Sequence, residues 1–370
     1  MRPVLRDFTD APKALRHLAL LLVFGALAVG GLAWAKFPAA LLLGPVLVAT
    51  ALGLRGTPLR VPNSWHEMAQ GVAGCMIAHY LTPEILMRAV SLWPFVALFA
   101  AMTLVLACLV GLVLGLCTKV GKEEAIWGFL PGMAGAVIAM SSERGLDSRI
   151  VAFIQIIRLM TVILVMSIVS RLLLDDTSGI AAATNGAAHY GVLLTLFLAT
   201  TGPLAARYAP IPAAATMVPL VLASILQGGG WVDLALPPWL LIGAYFLLGT
   251  QVGLRFSPDT LRTAVKIFWP VALFSFGLMG LCAVSGIILA RIAGETVLTG
   301  ILATVPGSIE TIAIIAVNAN ANLSFIMTMQ VVRLFAVVLA GPPLARALSL
   351  SIRQGLRRSN APPQDSPPAE

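Results

Sequence analysis

Two arginines stand where arginine is costly. Arg158 falls inside the apolar run 149–174 and Arg333 inside 324–348, each three residues after a glutamine, Gln155 and Gln330. The i, i+3 spacing puts each Gln/Arg pair on one helical face, and at about 1.5 Å per residue Arg158 lies on the order of 14 Å into its segment. A guanidinium at such depth must face a bundle interior, a cavity or a partner. The pair could hold an anion. It could equally be an internal clamp on backbone carbonyls or on a carboxylate, with Glu143 and Glu310 as candidates. A second repeated feature is Pro131-Gly132 and Pro306-Gly307, in the middle of the apolar runs 123–142 and 296–317. Proline removes a helical hydrogen bond and glycine admits unusual dihedrals, so a helix should break there; a simple kink is the alternative. The candidate substrate-binding set is therefore Gln155, Arg158, Gln330, Arg333, Pro131, Gly132, Pro306, Gly307, Ser308 and Glu310. No catalytic residue is predicted. Cys75, Cys108, Cys117 and Cys282 stand alone in apolar segments and read as buried small hydrophobes, and His17, His66, His79 and His189 are scattered, so neither a metal nor another cofactor is expected.

The elements that carry these residues belong in a membrane. The chain has 370 residues, 59% hydrophobic and 11% charged, with a mean hydropathy of +0.94, more apolar side chain than a soluble core can hold. A bilayer-spanning helix needs roughly 20 mostly apolar residues, and twelve candidate segments recur, at 17–35, 38–54, 67–81, 93–117, 123–142, 149–174, 188–206, 211–228, 238–255, 267–291, 296–317 and 324–348. The first is too long for the core of a cleaved signal peptide and has a counterpart at 188–206. The division is a cytoplasmic N-terminus (1–16), a first membrane repeat (17–174), a polar linker (175–187), a second repeat (188–350) and a basic, then Pro-rich tail (351–370). The net charge of +8 brings no long basic run or set of stacking aromatics, so a nucleic-acid partner is not expected.

The halves repeat one another. Leu81-Thr82-Pro83-Glu84 recurs as Phe256-Ser257-Pro258-Asp259, Trp93-Pro94 as Trp269-Pro270, Pro131-Gly132 as Pro306-Gly307, and Gln155-x-x-Arg158-Leu159 as Gln330-x-x-Arg333-Leu334. Thr-Pro-Glu and Ser-Pro-Asp read as helix starts, with a hydroxyl cap, proline at the first helical position and an acid in the first turn. Trp-Pro reads as the interfacial opening of the next apolar run.

Charge decides between two arrangements. If all twelve segments crossed, the halves would run parallel with only a weak basic bias. If instead the two Pro-Gly segments are re-entrant, each half crosses five times and the second half is inverted. Of the 24 Lys and Arg, only Lys36, Arg88, Arg171 and Arg291 then face outward, Arg158 and Arg333 lie within the membrane, and eighteen are cytoplasmic. The expected fold is thus an all-α polytopic membrane protein of two homologous, inverted halves, about ten full crossings plus two re-entrant or broken Pro-Gly segments, with both termini cytoplasmic. Many secondary transporters have this architecture, with the substrate site near the midplane.

The Pro-Gly and Gln-x-x-Arg-Leu motifs, one set per half over nearly the whole chain, resemble those of the AbrB-duplication family of bacterial inner-membrane proteins. Family members carry names such as ammonia monooxygenase and AbrB family transcriptional regulator. Family copies often read Pro-Gly-Gly, whereas Met133 and Ser308 hold the third position here. The resemblance implies an inner-membrane location and a role in regulation of gene expression. Two functions stay open: a carrier or exporter of a small anionic metabolite, and a membrane-embedded regulator acting through a sensed ligand or partner. An enzyme is not expected. The partners expected are membrane lipid, a small anionic ligand and, as an option, a second copy of the chain.

Overall fold

The computed structural model describes residues 11–35, 40–80, 93–131, 145–173, 189–208, 214–232, 234–256 and 258–333, with single positions at 37, 137, 141 and 336. Among the described residues the regular structure is helical and no strand occurs. In chain order the helices are α1 (Ala11–Trp34), α2 (Ala40–Leu54), α3 (Asn63–Tyr80), α4 (Trp93–Cys117), α5 (Lys122–Phe129), α6 (Ser148–Leu173), α7 (His189–Tyr208), α8 (Ala214–Gly228), α9 (Pro238–Gly253), α10 (Pro258–Ala293), α11 (Val297–Thr304), α12 (Ile309–Asn318) and α13 (Leu323–Arg333). Four helical stretches are long and apolar enough to cross a membrane: Leu15–Trp34, Ala97–Cys117, Ser148–Leu173 and Lys266–Ala293. Shorter apolar helices are α2, α8, α9 and α13.

Each half uses the same plan. α5 and α11 have eight residues each and correspond at an offset of 175 (122 to 297, 129 to 304). α2 and α8 have fifteen each at an offset of 174 (40 to 214). In both halves, a glycine of the long preceding helix lets the short one lie against it. A Cβ on Gly111 would fall 2.8 Å from the Ala125 carbonyl oxygen, and one on Gly286 would fall 2.5 Å from that of Gly300.

The contacts fix the helix directions. Gly71 and Cys75 of α3 meet Ala199 and Thr195 of α7, so α3 and α7 are antiparallel. Gly74 lies on Thr216 and Leu220 while His79 meets Gln227, so α3 and α8 are parallel. α9 likewise runs parallel to α2, with Gly249 on Leu42 and Gly253 on Val46. Ala235, just before α9, bonds to Gly191 and Thr195 near the start of α7, so α9 leaves from the face where α7 begins. α7 and α9 therefore run one way, and α8 and α3 the other. α2, parallel to α9, opposes α3, and α1 packs against α2 as a hairpin with Val29 on Gly44. α1 and its counterpart α7 point in opposite directions, and the second half is the first inverted.

The Arg171 Nε donates to the Ala35 carbonyl at 3.1 Å, which puts the end of α6 beside the end of α1.

The interior is built from the middle helices of both halves. Residues 71–78 of α3 are all buried. Leu18, Leu22 and Leu27 of α1, Leu109 and Leu116 of α4, and Leu273 and Val284 of α10 are among the apolar side chains that stay exposed, as on a lipid-facing surface.

Several sequence boundaries shift. α1 begins at Ala11 and α3 at Asn63, earlier than their apolar runs. α10 starts at Pro258, as the Ser-Pro-Asp motif predicts, and then continues without interruption through Trp269 and Pro270 to Ala293. Trp269-Pro270 therefore opens no helix; Trp269 is an exposed side chain on a continuous one. Cys75, Cys108 and Cys282 are buried as expected, whereas Cys117 is exposed at the end of α4. The Thr82-Pro83 motif, the linker and the tail lie outside the described residues.

Candidate functional site

The second-half break runs from α11 into α12. α11 is capped by Thr296, whose hydroxyl accepts from the Thr299 amide, and it ends at Thr304 with Val305 extended at φ −64°, ψ 133°. Pro306 and Gly307 follow, and Ser308 then caps α12, its hydroxyl accepting from the Thr311 amide at 3.2 Å. The Pro-Gly motif is thus a true break between two short helices rather than a kink.

A helix that stops inside a protein leaves its last carbonyls without partners. Gln330 and Arg333 supply them. The Gln330 Nε2 donates to the Leu302 carbonyl at 2.9 Å, with the Ala303 and Val305 carbonyls farther off at 3.5 and 3.4 Å. Arg333 donates from Nη1 to Val305 O at 2.7 Å and from Nη2 to Gly307 O at 3.0 Å. Its Nη2 also donates to Gln330 Oε1. The Thr304 hydroxyl ties the same break to α10 through the Cys282 carbonyl at 2.7 Å.

The first half repeats the frame. α5 ends at Phe129 with Leu130 at φ −56°, ψ 118°, and Pro131 is buried. Arg158 donates from Nη1 to the Phe129 carbonyl at 2.7 Å. Gly132 and Met133 lie outside the described residues. So do the side chains of Glu143 and Glu310, the two carboxylates considered as partners. Among the described residues neither arginine has a carboxylate partner.

The two breaks converge. Arg158 and Arg333 are 7% and 5% exposed. Val162, one turn beyond Arg158 on α6, lies 3.1 Å from where a Cβ of Gly307 would stand. α6 thus touches its own break through Arg158 and the other half's break through Val162. Of the predicted set, Pro131, Arg158, Pro306, Gly307, Ser308, Gln330 and Arg333 are brought to this joint by these bonds and contacts; Gln155 shares the face of α6 that carries Arg158. Sequence reasoning missed Cys282 and Thr304. Neither has a repeated counterpart, Ala107 and Phe129 standing at the matching positions, so the repeat could not find them. No group of three His, Cys, Asp or Glu side chains able to hold a metal ion occurs among the described residues.

The fold and joint define an all-helical protein of membrane type, built from two inverted halves whose broken helices meet at a pair of buried arginines. Residues 41–349 match the family described as "Transition state regulatory protein AbrB". The chain is 35% identical over 338 residues, 90% of its length and 94% of the relative's, to a protein of Escherichia coli (strain K12) named "Putative regulator AbrB". It is 25% identical over 305 residues, 78% of its length and 79% of the relative's, to "Uncharacterized protein YhjN" of Bacillus subtilis (strain 168). The chain belongs to the AbrB family.

Proposed function

We propose that the chain is a multi-pass inner-membrane protein, transporter-like, that carries or exports a small anionic metabolite through a site at the joint of its two broken helices. The observation that carries this reading is the pair of buried guanidiniums, one from each half, with no carboxylate partner among the described residues. An unpaired charge in a bilayer core costs at least about 2.5–3.5 kcal/mol on insertion scales. Two like charges at one place cost more, and an anion offsets both. In this reading the Pro-Gly segments are re-entrant, both termini are cytoplasmic, and the chain performs no covalent chemistry, needs no metal or cofactor, and binds no nucleic acid.

The regulator in the name of the Escherichia coli relative supports a second reading, in which the same site senses the anion and a partner protein passes the signal on. Both readings need the anion. Thermal unfolding of the purified protein with a panel of small mono- and dicarboxylates and phosphate tests that requirement, because a ligand that binds only the folded state raises the midpoint by mass action. We expect at least one class of anion to stabilise the wild type and to lose its effect on Arg158→Gln. Uptake or efflux by proteoliposomes then separates the carrier from the sensor. A wild type indifferent to every anion removes both readings.

A further inference from the structure

The two Gln-x-x-Arg pairs are alike in sequence and unlike in structure. In the second half the glutamine amide and the arginine are both spent on the break, as described. In the first half Arg158 gives one bond to Phe129, and its Nε finds no partner among the described residues. Gln155 is 4% exposed, and neither its Nε2 nor its Oε1 finds one either. Buried polar atoms in native structures are rarely left without partners, and each that is costs free energy. Three such atoms on neighbouring side chains need a common explanation.

Their position supplies one. Gln155, Arg158 and Val162 are spaced i, i+3, i+7 and share one face of α6. That face grips the end of α5 through Arg158 and touches the Gly307 turn through Val162. The unspent atoms therefore stand at the joint of the two breaks, on the helix face whose Val162 meets the Gly307 turn that Arg333 holds.

We infer that the first half alone reads the ligand, through Gln155 and Arg158, and that the ligand is a small acid with a hydroxyl or amino donor beside its anionic group. The inference rests on the anion-binding reading above. Its chemistry follows from the atoms. Arg Nε and Gln Nε2 can only donate, so they call for an oxyanion, while Gln Oε1 can only accept and calls for a donor. A plain carboxylate would satisfy two of the three and leave Oε1 unpaired. A 2-hydroxy or 2-amino acid satisfies all three. Gln330 and Arg333 hold the second break closed and contribute charge without reading the ligand.

The experiment compares acids that differ only in the donor, L-lactate against propionate and L-malate against succinate, by titrating each into the full-length protein and following its unfolding midpoint. On the wild type the hydroxy acid of at least one pair should bind at least about tenfold more tightly, the scale of one hydrogen bond. Gln155→Leu should erase that preference while leaving the ligand-free midpoint no lower than the wild type's, whereas Gln330→Leu should lower it. Gln155→Met, an unbranched replacement, serves as a second variant and should behave as Gln155→Leu does. Equal binding within both pairs overturns the inference and leaves the anion reading standing. A preference that survives both Gln155 variants, or a ligand-free midpoint that falls in both, also overturns it, since the amide would then not be reading the donor or would be holding the fold. A wild type that responds to none of the four acids or to any other anion removes the anion reading and this inference together.

Discussion

Replacing Gly74 or Gly249 by alanine tests the joint between the halves. The two glycines occupy matching positions in α3 and α9 (74 to 249, an offset of 175) and face the second helix of the opposite half. A Cβ on Gly74 would stand 2.5 Å from the Thr216 carbonyl oxygen and 3.2 Å from the Leu220 amide nitrogen. One on Gly249 would stand 2.5 Å from the Leu42 carbonyl oxygen. These neighbours are backbone, so no side chain can swing aside; the helices must separate by most of an ångström to restore van der Waals distance. Overpacking of this kind costs about 1–3 kcal/mol, against which the better helix propensity of alanine returns about 0.8–1 kcal/mol. We expect each variant to be destabilised by up to about 2 kcal/mol relative to wild type, and by similar amounts because the sites are related by the repeat. Gly243 and Gly280, with nothing within 4 Å of the added methyl, serve as controls and should be unchanged or slightly more stable as alanine. The assay is reversible unfolding in detergent, read by tryptophan fluorescence. If Gly74→Ala and Gly249→Ala unfold no more easily than Gly243→Ala and Gly280→Ala, the parallel pairing of α3 with α8 and of α9 with α2, and the inverted arrangement derived from it, is wrong.

Cysteine placed between Arg144 and Arg149 should be labelled from the same side as one near Lys119, because the proposed function takes the segment between them as re-entrant; labelling from opposite sides refutes that. A reporter fused within Thr177 to Asn185 should read outside, on the face opposite both termini, and a cytoplasmic signal contradicts five crossings per half. Arg333→Gln strips two carbonyls of their donors and should destabilise the protein by about 1–3 kcal/mol, measured by the same unfolding assay; stability equal to wild type would show that the carbonyl clamp contributes nothing. Arg158→Gln gives up one carbonyl bond, should cost less stability, and should abolish anion binding; a correctly inserted Arg158→Gln/Arg333→Gln protein with full binding and transport sinks the anion reading.

How much could be read from the sequence depends on whether a residue's effect is local. The breaks at Pro131 and Pro306 were legible because proline and glycine act on their own backbone, and the copy in the other half made each signal count twice. Prolines 45, 203, 219 and 270 carry the same local signal, yet each sits inside a helix. What separates them from Pro306 is remote: Gln330 and Arg333, more than twenty residues downstream, receive the carbonyls that the break sets free. The inverted directions were readable as charge asymmetry, although the contacts that establish them lie between helices far apart in sequence. The unequal packing of α1 and α7 was not legible. Gly71 lets α7 approach the backbone of α3, a Cβ there falling 2.4 Å from the Ala199 carbonyl oxygen, whereas at the matching place in α9 Phe246 meets Gly25 with its ring. A whole side chain holds α1 away, and only 11% of its apolar window is buried. Nothing in either segment alone says which one is pressed home.

The carbonyl clamp and the anion site are not rival accounts of the arginines. Hydrogen bonds from Arg333 to Val305 and Gly307, and from Arg158 to Phe129, satisfy donors and acceptors; they do not cancel charge. The C-terminus of α11 brings a partial negative charge toward Arg333, of order half an elementary charge for a full helix, and the N-terminus of α12 on the other side of the break brings a partial charge of the opposite sign. The two nearly offset. Among the described residues the joint therefore keeps close to the full charge of its guanidiniums, in a setting where backbone dipoles are already committed. Geometry asks for the arginines to close the breaks, and electrostatics then asks for something negative to arrive. In the second half Gln330 and Arg333 together take the carbonyls of Leu302, Val305 and Gly307, while in the first half Arg158 Nε and the Gln155 amide find no partner among the described residues. An inverted repeat that began as two equal copies can bind an asymmetric molecule only if the copies differ at the joint, and it is there, between Gln155 and Gln330, that they do.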